Sequence, residues 1–417
     1  MPLRRTIIIA LKKYRLIALI LVIITHSIKN AMAELKLLNV IFRHGDRAPD
    51  NNGLELYPRD PYVNNSFWPE GLGGLTNSGK LREYNLGKYL RKSYGYFLGD
   101  VYIPAEIRAR STDIARTKMS LQLLLAALYT PERQQKWKLD LDWQPIPIDT
   151  VAKLDDILMI PEECPNYLKV REQVETSSEF KVKLRSFESF MRNLSSNTGK
   201  NISHSNDMYF LYHTLMAEHS LDLPLPKWTK NIFPYGKLLD GISLEYKISN
   251  YNTEMKRMNG GMLLRKFIDD MVTYSNGKLD RNRKIFLYSG HETNVVAVLQ
   301  ALGVYYPHVP EYTSAVIIEL HEVNSKYYVK VIYYKGIARP NENLFEEMYV
   351  TGCNKNCSLD RFQNVLKNVT AIDNDIKSCD KRSLRGIIQE MSIAPGIIKQ
   401  IVDELDIEDS LRNMLLY

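Results

Sequence analysis

The chain has 417 residues, of which 45% are apolar and 25% are charged, so it can bury a large core and its composition excludes a disordered protein. The formal net charge of +7 comes largely from the amino terminus, because six of the 55 Lys and Arg residues and none of the 48 Asp and Glu residues lie in residues 1–33. The rest of the chain carries 49 basic and 48 acidic side chains, which argues against nucleic acid as a partner.

The first 33 residues have the pattern of a secretory signal peptide. Basic residues between Arg4 and Arg15 precede an apolar run at 16–24, and small residues at 31–33 provide a cleavage site near Ala33. An uncleaved membrane anchor is the alternative, but the apolar run is only about half of the ~20 residues that span a bilayer. We therefore expect a secreted protein with no stable membrane anchor.

Residues 35–42 form a short apolar run typical of a buried strand, and the charged motif R-H-G-D-R-A-P at 43–49 follows directly. Two guanidinium groups flank an imidazole in this motif, and Gly45 permits a close backbone approach. Arginine binds phosphoryl groups through bidentate, charge-assisted hydrogen bonds. A chance run of charges at a strand end rarely has this full spacing, so the motif predicts a site for a phosphate dianion.

The next segments are mostly helical. Thr76 is a candidate cap for a helix that runs to about Tyr94, and Ser111-Thr-Asp is predicted to open a second helix with a strongly apolar part at 119–128. Residues 151–250 lack clear strands and contain proline-rich breaks, so we predict an inserted helical domain there.

Strand-then-helix order returns in the second half of the chain. A helix follows Gly260-Gly261, a buried strand is predicted at 284–288 with a helix at 292–302, and the segments 314–321 and 327–334 could form a hairpin. This order predicts an α/β fold with a mixed, mostly parallel central sheet, helices on both faces and a smaller inserted helical domain. The α/β domain would comprise 34–150 and 251–380, and the tail 381–417 stays unassigned.

A second motif, S-G-H-E at 289–292, follows the strand predicted at 284–288. Taken alone, His291-Glu292 is a helix start at which the carboxylate complements the helix dipole. A zinc-protease interpretation fails, because that pattern requires a second histidine where Val295 stands. We predict no metal and no cofactor.

Four cysteines in a chain that enters an oxidising compartment predict two disulfides among Cys164, Cys353, Cys357 and Cys379. A zinc site is disfavoured, because the C-x-x-x-C pair has no second close Cys or His pair beside it. Sequons fit a glycosylated, secreted protein and stand at Asn64, Asn193, Asn201 and Asn368.

The R-H-G-D-R-A-P motif resembles the signature of the histidine acid phosphatase family, in branch 2 of the histidine phosphatase superfamily. The similarity continues in order through W-P-x-G at 68–71, L-T-x-x-G at 75–79, R-S-T-D-x-x-R-T at 110–117, W-Q-P-I-P at 143–147 and G-G at 260–261. The resemblance covers almost everything from Glu34 to Cys379. It implies a secreted acid phosphatase that hydrolyses phosphate monoesters through a covalent phosphohistidine.

The resemblance also implies roles for individual residues. His44 would be the nucleophile and Glu292 the proton donor. The substrate phosphate would be bound by Arg43, Arg47, Arg110 and His291. Arg110 is expected just before a helix N-terminus, which also favours anions.

Two further features follow from the resemblance alone. It pairs Cys164 with Cys379 and Cys353 with Cys357, and it suggests a homodimer.

The acidic residue of the second motif departs from the family pattern, which has Asp where this chain has Glu292. Glutamate can do the same chemistry, but its extra methylene moves the carboxyl group by more than about 1 Å, and a displacement of that size can lower the rate about 100-fold. Two alternatives therefore stay open. One is a secreted phosphate-binding relative with weakened catalysis, and the other is a narrower enzyme for inositol phosphates or lysophospholipids.

Overall fold

The computed structural model describes residues 33–50, 53–337, 343–353, 355 and 357–379. The predicted signal peptide, except for Ala33, and the tail 381–417 lie outside these residues. Within the described ranges, no helix is both long enough and apolar enough to cross a membrane.

Eight strands of the described chain form one sheet in the order β3-β2-β4-β1-β5-β6-β7, with β8 paired to β6. The strands are β1 Glu34–Arg43, β2 Ile107–Thr112, β3 Asp149–Val151, β4 Ile285–Gly290, β5 Ala315–Val323, β6 Lys326–Tyr334, β7 Phe345–Met348 and β8 Cys357–Ser358.

Helices connect these strands and fill the segment between β3 and β4. The α-helices are α1 Asn77–Leu98, α2 Ala115–Leu128, α3 Pro165–Thr176, α4 Ser178–Arg185, α5 Glu188–Thr198, α6 Ser205–Ser220, α7 Lys237–Ile248, α8 Thr253–Met258, α9 Gly260–Ser275, α10 Glu292–Ala301, α11 Leu359–Leu366 and α12 Asp373–Ser378. Short 3₁₀ helices span Pro104–Glu106, Lys153–Asp155, Pro161–Glu163 and Lys227–Thr229.

The central strand β1 pairs in parallel with β4 and antiparallel with β5. Its last residue, Arg43, lies opposite Gly290, so both predicted motifs begin at the same edge of the sheet. The mixed sheet is confirmed. Of the seven strand pairings in the described chain, three are parallel and four are antiparallel, because the β5–β6 hairpin adds β7 and β8 in antiparallel order. Parallel pairing is therefore confined to one half of the sheet.

Helices cover both faces of the sheet, as predicted. Side chains alternate along β1, so Ile41 packs in the core formed with α9 and α10, whereas Phe42 packs in the core formed with α1 and α2. All five of the following core residues are fully buried: Ile41, Phe42, Leu86, Leu124 and Phe267. Burial on both faces fixes the register of β1, and therefore the position of the motif that follows it.

Helices α3 to α7 lie between residues 165 and 248, and the described chain has no strand between β3 and β4. Part of this segment has its own apolar core, which includes Leu211 and Ile242. That core also contains Tyr57 and Tyr312, from the loops that follow β1 and precede β5. The helical segment therefore packs over the edge of the sheet at which β1 and β4 end. The boundaries 34–150, 151–250 and 251–380 remain a prediction.

One predicted helix start is wrong. Ser111 and Thr112 continue strand β2, because they pair with Thr150 and Val151 of β3, and helix α2 begins only at Ala115. Thr76 does cap α1, since its Oγ1 accepts a hydrogen bond from the Gly79 N–H at 3.1 Å.

Both disulfide pairs are present, joining Cys164 to Cys379 and Cys353 to Cys357. The four sequon asparagines are exposed. Glycan attachment at these positions stays a prediction.

Candidate active site

The backbone around His44 is held by the last residue of β4 and by the residue that precedes β5. The His44 N–H donates to the Gly290 carbonyl at 3.0 Å, and the Arg43 N–H donates to the Ser314 carbonyl at 2.9 Å. Gly45 then passes so close to α1 that a Cβ there would lie 2.5 Å from the Gly79 carbonyl oxygen. The loop therefore requires glycine at this position, as the motif predicted.

The His44 ring has a defined tautomer. Its Nδ1 lies 2.8 Å from the Gly45 carbonyl oxygen, which can only accept, so Nδ1 carries the hydrogen. Its Nε2 accepts a hydrogen bond from Arg116 Nε at 3.2 Å and therefore presents a lone pair. Burial, followed by the positive charges of Arg116 and Arg43, lowers the pKa of His44 well below its ordinary value. The imidazole is consequently neutral even in mildly acidic solution.

Arg43 and Arg47 are buried beside this histidine. The Arg43 guanidinium lies 4.0 Å from the centre of the Tyr312 ring, and its Nη1 donates to the Pro310 carbonyl at 2.5 Å. Arg47 forms a two-pronged pair with Glu55, at 2.8 and 2.5 Å. Within the described chain, Arg43 Nη2 and Arg47 Nε have no hydrogen-bond partner. These donors are available to an anion.

His291 lies across the site from His44, with 5.5 Å between the two ring centres. It is the residue before α10, and its Nε2 is 3.2 Å from Thr112 Oγ1 at the end of β2. Burial and the charge of Arg116 lower the pKa of His291 to about 3. Its ring is therefore neutral, and Thr112 fixes its orientation.

Glu292 is 5% exposed and is contacted from two sides. Its Oε1 accepts a hydrogen bond from the Tyr209 hydroxyl at 2.5 Å and lies 3.3 Å from His213 Nε2, while its Oε2 lies 3.6 Å from Arg43 Nε. Burial alone would raise the pKa of Glu292, but His213, Arg43 and the hydrogen bond from Tyr209 hold it well below its ordinary value. In the free site this group is a carboxylate.

Metal-binding side chains do not cluster in the described chain, where no group of three or more His, Cys, Asp or Glu residues could hold a metal ion. The positive charge of the site is supplied by guanidinium groups.

Comparison with known proteins identifies the family. The model of the histidine phosphatase superfamily (branch 2) matches residues 34–334. The chain belongs to this superfamily. It is 45% identical to the venom acid phosphatase Acph-1 of Apis mellifera over 361 residues, which cover 87% of this chain and 92% of the relative. It is 35% identical to prostatic acid phosphatase of Rattus norvegicus, over 82% of this chain and 88% of the relative.

A more distant relative is the lysosomal acid phosphatase of Xenopus laevis, at 31% identity over 86% of this chain and 82% of the relative. Solved structures share the fold at lower identity. The phytase of Citrobacter braakii matches with a TM-score of 0.60 at 16% identity, over 83% of this chain and 99% of the phytase. The Hafnia alvei phytase in complex with myo-inositol hexakis sulphate matches with a TM-score of 0.62 at 16% identity, over 83% and 98%. These likenesses establish the histidine phosphatase fold, and the acid phosphatase relatives establish an enzyme that hydrolyses phosphate monoesters.

Most of the residues predicted for this histidine phosphatase meet at one place, but Arg110 does not join them. Arg110 lies within β2, and its guanidinium is hydrogen-bonded to Asp156. The expectation that Arg110 precedes a helix N-terminus is wrong, because β2 continues through Thr112. Arg116, in the first turn of α2, is the arginine of this segment that contacts His44.

Sequence reasoning missed Arg116, Tyr209 and His213. Arg116 could have been predicted from the sequence, because it is the second arginine of R-S-T-D-x-x-R-T. Side chains in the first turn of a helix lean back toward its N-terminus. Tyr209 and His213 carry no motif. Their role follows only from the packing of α6 against the start of α10.

Proposed function

We propose that this acid phosphatase acts through a covalent phosphohistidine on His44. The observation that carries the proposal is the neutral His44 ring, whose Nε2 lone pair lies among arginines while its Nδ1–H is bonded to the backbone. A histidine in this state can attack phosphorus even at acid pH.

Arg43, Arg47, Arg116 and His291 would bind the phosphoryl oxygens. Arg43 and Arg47 keep unpaired N–H groups in a buried site, and charge-assisted hydrogen bonds are strong where water is excluded. These groups stabilise the charge on the equatorial oxygens as the phosphoryl group transfers. Arg116 takes the role that was predicted for Arg110.

Glu292 would carry the proton of the reaction. Because its carboxyl is ionised in the free site, the proton arrives with the substrate, whose phosphate has a second pKa of about 6 and is a monoanion at acid pH. The proton passes from the ester to Glu292 and then to the leaving oxygen as His44 displaces the alcohol. Water next attacks phosphorus, gives a proton to Glu292 and displaces His44. This proton leaves with the phosphate as H2PO4⁻, so Glu292 is again a carboxylate. We therefore expect activity to fall as the pH rises above about 6.

The test is hydrolysis of p-nitrophenyl phosphate from pH 4 to 8 in EDTA, by wild type, His44→Ala and His219→Ala. His219 is an exposed histidine of α6 and serves as the matched control. We expect activity in wild type and His219→Ala and none in His44→Ala. Alkaline denaturing quench should trap a phosphoryl group on the peptide that contains His44, and activity retained by His44→Ala would overturn the proposal.

The alternative of a weakened, phosphate-binding relative predicts a different result in the same assay. Wild type would bind inorganic phosphate without turning over the ester. The contacts to Glu292 favour the active enzyme, since they hold the longer side chain in one orientation.

We propose that the protein is secreted after cleavage near Ala33 and is glycosylated at Asn64, Asn193, Asn201 and Asn368. Support comes from the amino-terminal pattern and from the exposure of all four asparagines. Expression of the full chain in insect cells tests this. The protein should appear in the medium, begin at Glu34 and lose mass on treatment with a glycosidase.

We also propose a homodimer. Trp137, Leu139 and Trp143 are exposed by 59%, 89% and 42%, in the segment that leads to the edge strand β3. An exposed apolar patch beside an open sheet edge is a common basis for association. Light scattering on the protein as it elutes from a sizing column should give a mass of two chains. The double variant Trp137→Ser, Leu139→Ser should have the mass of one chain.

A further inference from the structure

The two carboxylate oxygens of Glu292 have different surroundings. Oε1 faces the Tyr209 hydroxyl at 2.5 Å and His213 Nε2 at 3.3 Å, whereas Oε2 faces Arg43 Nε at 3.6 Å. Both groups at Oε1 come from the inserted helical segment, and the group at Oε2 comes from the phosphate-binding motif. The carboxyl group therefore bridges α6 and the reaction centre.

Tyr209 and His213 are four residues apart on α6 and so lie on one face of the helix, with 4.5 Å between their ring centres. His213 is 1% exposed, and neither ring nitrogen makes an aligned hydrogen bond within the described residues, but Nε2 lies 3.3 Å from Oε1 of Glu292, whereas Nδ1 faces no carboxylate. A buried N–H without an acceptor is more costly than a bare lone pair, so the proton of the neutral ring belongs on Nε2, facing Glu292.

The other groups around His213 do not offer it an acceptor. Arg43 and Arg47 act on it as positive charges, and Tyr212 packs edge-on at 6.0 Å between ring centres. Tyr209 directs its hydroxyl to Glu292. His213 and Tyr209 are thus two donors that converge on a single oxygen.

We infer that Tyr209 and His213 are positioning residues that hold Oε1 of Glu292, so that Oε2 is the oxygen that transfers the proton. This inference rests on the proposed function. In the first step the Oε2–H bond breaks as the leaving oxygen gains the proton, while the P–O bond breaks and the bond from phosphorus to His44 Nε2 forms. In the second step a water O–H bond breaks and Oε2 regains the proton, while the water oxygen bonds to phosphorus and the P–N bond breaks. The proton then passes from Oε2 to the phosphate, which leaves as H2PO4⁻.

This arrangement explains how glutamate serves in place of the aspartate of the family pattern. The longer side chain reaches two donors on α6, and these donors restrict the freedom that its extra methylene adds. An aspartate would withdraw its carboxyl by about 1 Å and lose both contacts. The α6 donors and Glu292 should therefore act as one unit.

The experiment compares two substrates that differ in their need for a proton. p-Nitrophenolate leaves without protonation, whereas the alkoxide of glycerol phosphate does not. We expect Tyr209→Phe and His213→Gln each to lower kcat/KM for glycerol phosphate about tenfold or more, but that for p-nitrophenyl phosphate less than about threefold. Glu292→Asp should lower kcat/KM for glycerol phosphate about 100-fold.

The decisive step is to add Tyr209→Phe or His213→Gln to Glu292→Asp. Because aspartate no longer reaches these donors, each second substitution should change kcat/KM less than about twofold. His219→Gln, an exposed change of the same kind on the same helix, should match wild type. Tyr209→Phe alone carries the test if His213→Gln fails to fold.

Two outcomes would overturn the inference. One is an equal loss of kcat/KM with both substrates, which indicates a structural role. The other is that the α6 substitutions lower kcat/KM by the same factor in Glu292→Asp as in wild type. Failure of the proposed function looks different, because His44→Ala would then keep its activity whatever the α6 variants do.

Discussion

The backbone of Gly45 sets the tautomer of His44, and the arginines around it set its charge. A carbonyl oxygen accepts the Nδ1 hydrogen, so the reactive Nε2 lone pair is available without any side-chain base. The pKa of His44 is lowered, as an acid phosphatase requires. The nucleophile therefore stays neutral at a pH where an ordinary histidine would be protonated. The same charges that bind phosphate thus keep the nucleophile active at low pH.

Arg116→Gln should have two effects that Arg110→Gln lacks. Loss of a charge-assisted hydrogen bond should lower kcat/KM for p-nitrophenyl phosphate about 10- to 100-fold. Because the charge of Arg116 lowers the pKa of His44, its removal should raise that pKa, and activity should then be lost at a higher pH on the acid side. Profiles of kcat/KM between pH 3 and 7 measure both effects. A larger loss of kcat/KM in Arg110→Gln than in Arg116→Gln would show that Arg110 is the phosphate ligand, as the sequence predicted.

At this scale the sequence predicted the motif residues better than their surroundings. His44, Arg43 and His291 could be found because they lie at strand ends, where residues distant in sequence meet at one edge of the sheet. Arg116 was missed because β2 runs two residues further than its Ser-Thr-Asp pattern suggested. Tyr209 and His213 could not be predicted, since their contact with Glu292 depends on how α6 docks.

A disulfide ties the helical segment to the last described helix, α12, and so joins distant parts of the chain. Cys164 stands at the start of α3 and Cys379 directly follows α12, with a sequence separation of 215 residues. Cys353 and Cys357 are separated by only four residues. The two bridges are a natural pair for comparison, because chain-entropy stabilisation grows with loop length.

Replacing Cys164 and Cys379 together by Ser should lower the free energy of unfolding by about 5 kcal/mol, since the open chain gains the larger freedom. Replacing Cys353 and Cys357 together should cost only about 2 kcal/mol on the same model. Urea unfolding of the three proteins without reductant measures the difference. Equal losses would show that native packing around the cysteines, rather than loop closure, sets their contribution.

Strands and helices were predictable where the apolar pattern is uninterrupted. Strands β1 and β4, helix α10 and the β5–β6 hairpin all appear within a few residues of their predicted positions. The proportion of parallel pairing was not predictable in this way, because the two β-rich segments have the same pattern whether their neighbours run parallel or antiparallel.

Over the whole molecule, folding shifts the proton affinity of buried groups in two opposed directions. Burial raises the pKa of Glu83 well above its ordinary value and that of Glu218 to about 9. Burial likewise lowers the pKa values of His44, His213 and His291. A buried carboxyl that keeps its proton in the folded protein stabilises the folded state. A buried histidine that stays neutral destabilises the folded state at lower pH, because the unfolded chain binds a proton there that the folded protein does not.

The two groups act in different pH windows. A carboxyl with a raised pKa contributes stability that is fully present below about pH 4.5 and is lost as the pH rises toward its folded pKa. A histidine with a lowered pKa contributes stability above about pH 6.5 that is lost as the pH falls. Between about pH 7.5 and 8.5 the histidines are largely neutral in both states, so the buried carboxyls should make stability fall with rising pH.

Glu218→Gln should therefore flatten the dependence of stability on pH between about 7.5 and 8.5. Each buried carboxyl that stays protonated through this window contributes a slope of about −1.4 kcal/mol per pH unit, and an uncharged glutamine removes that slope. Urea unfolding of wild type, Glu218→Gln, Glu83→Gln and the exposed control Glu172→Gln at several pH values gives the slopes directly. We expect a shallower slope in each buried variant and the wild-type slope in Glu172→Gln. If wild-type stability is constant across the window, both carboxyls are ionised in the folded protein, and the acid preference of the enzyme lies in its active site alone.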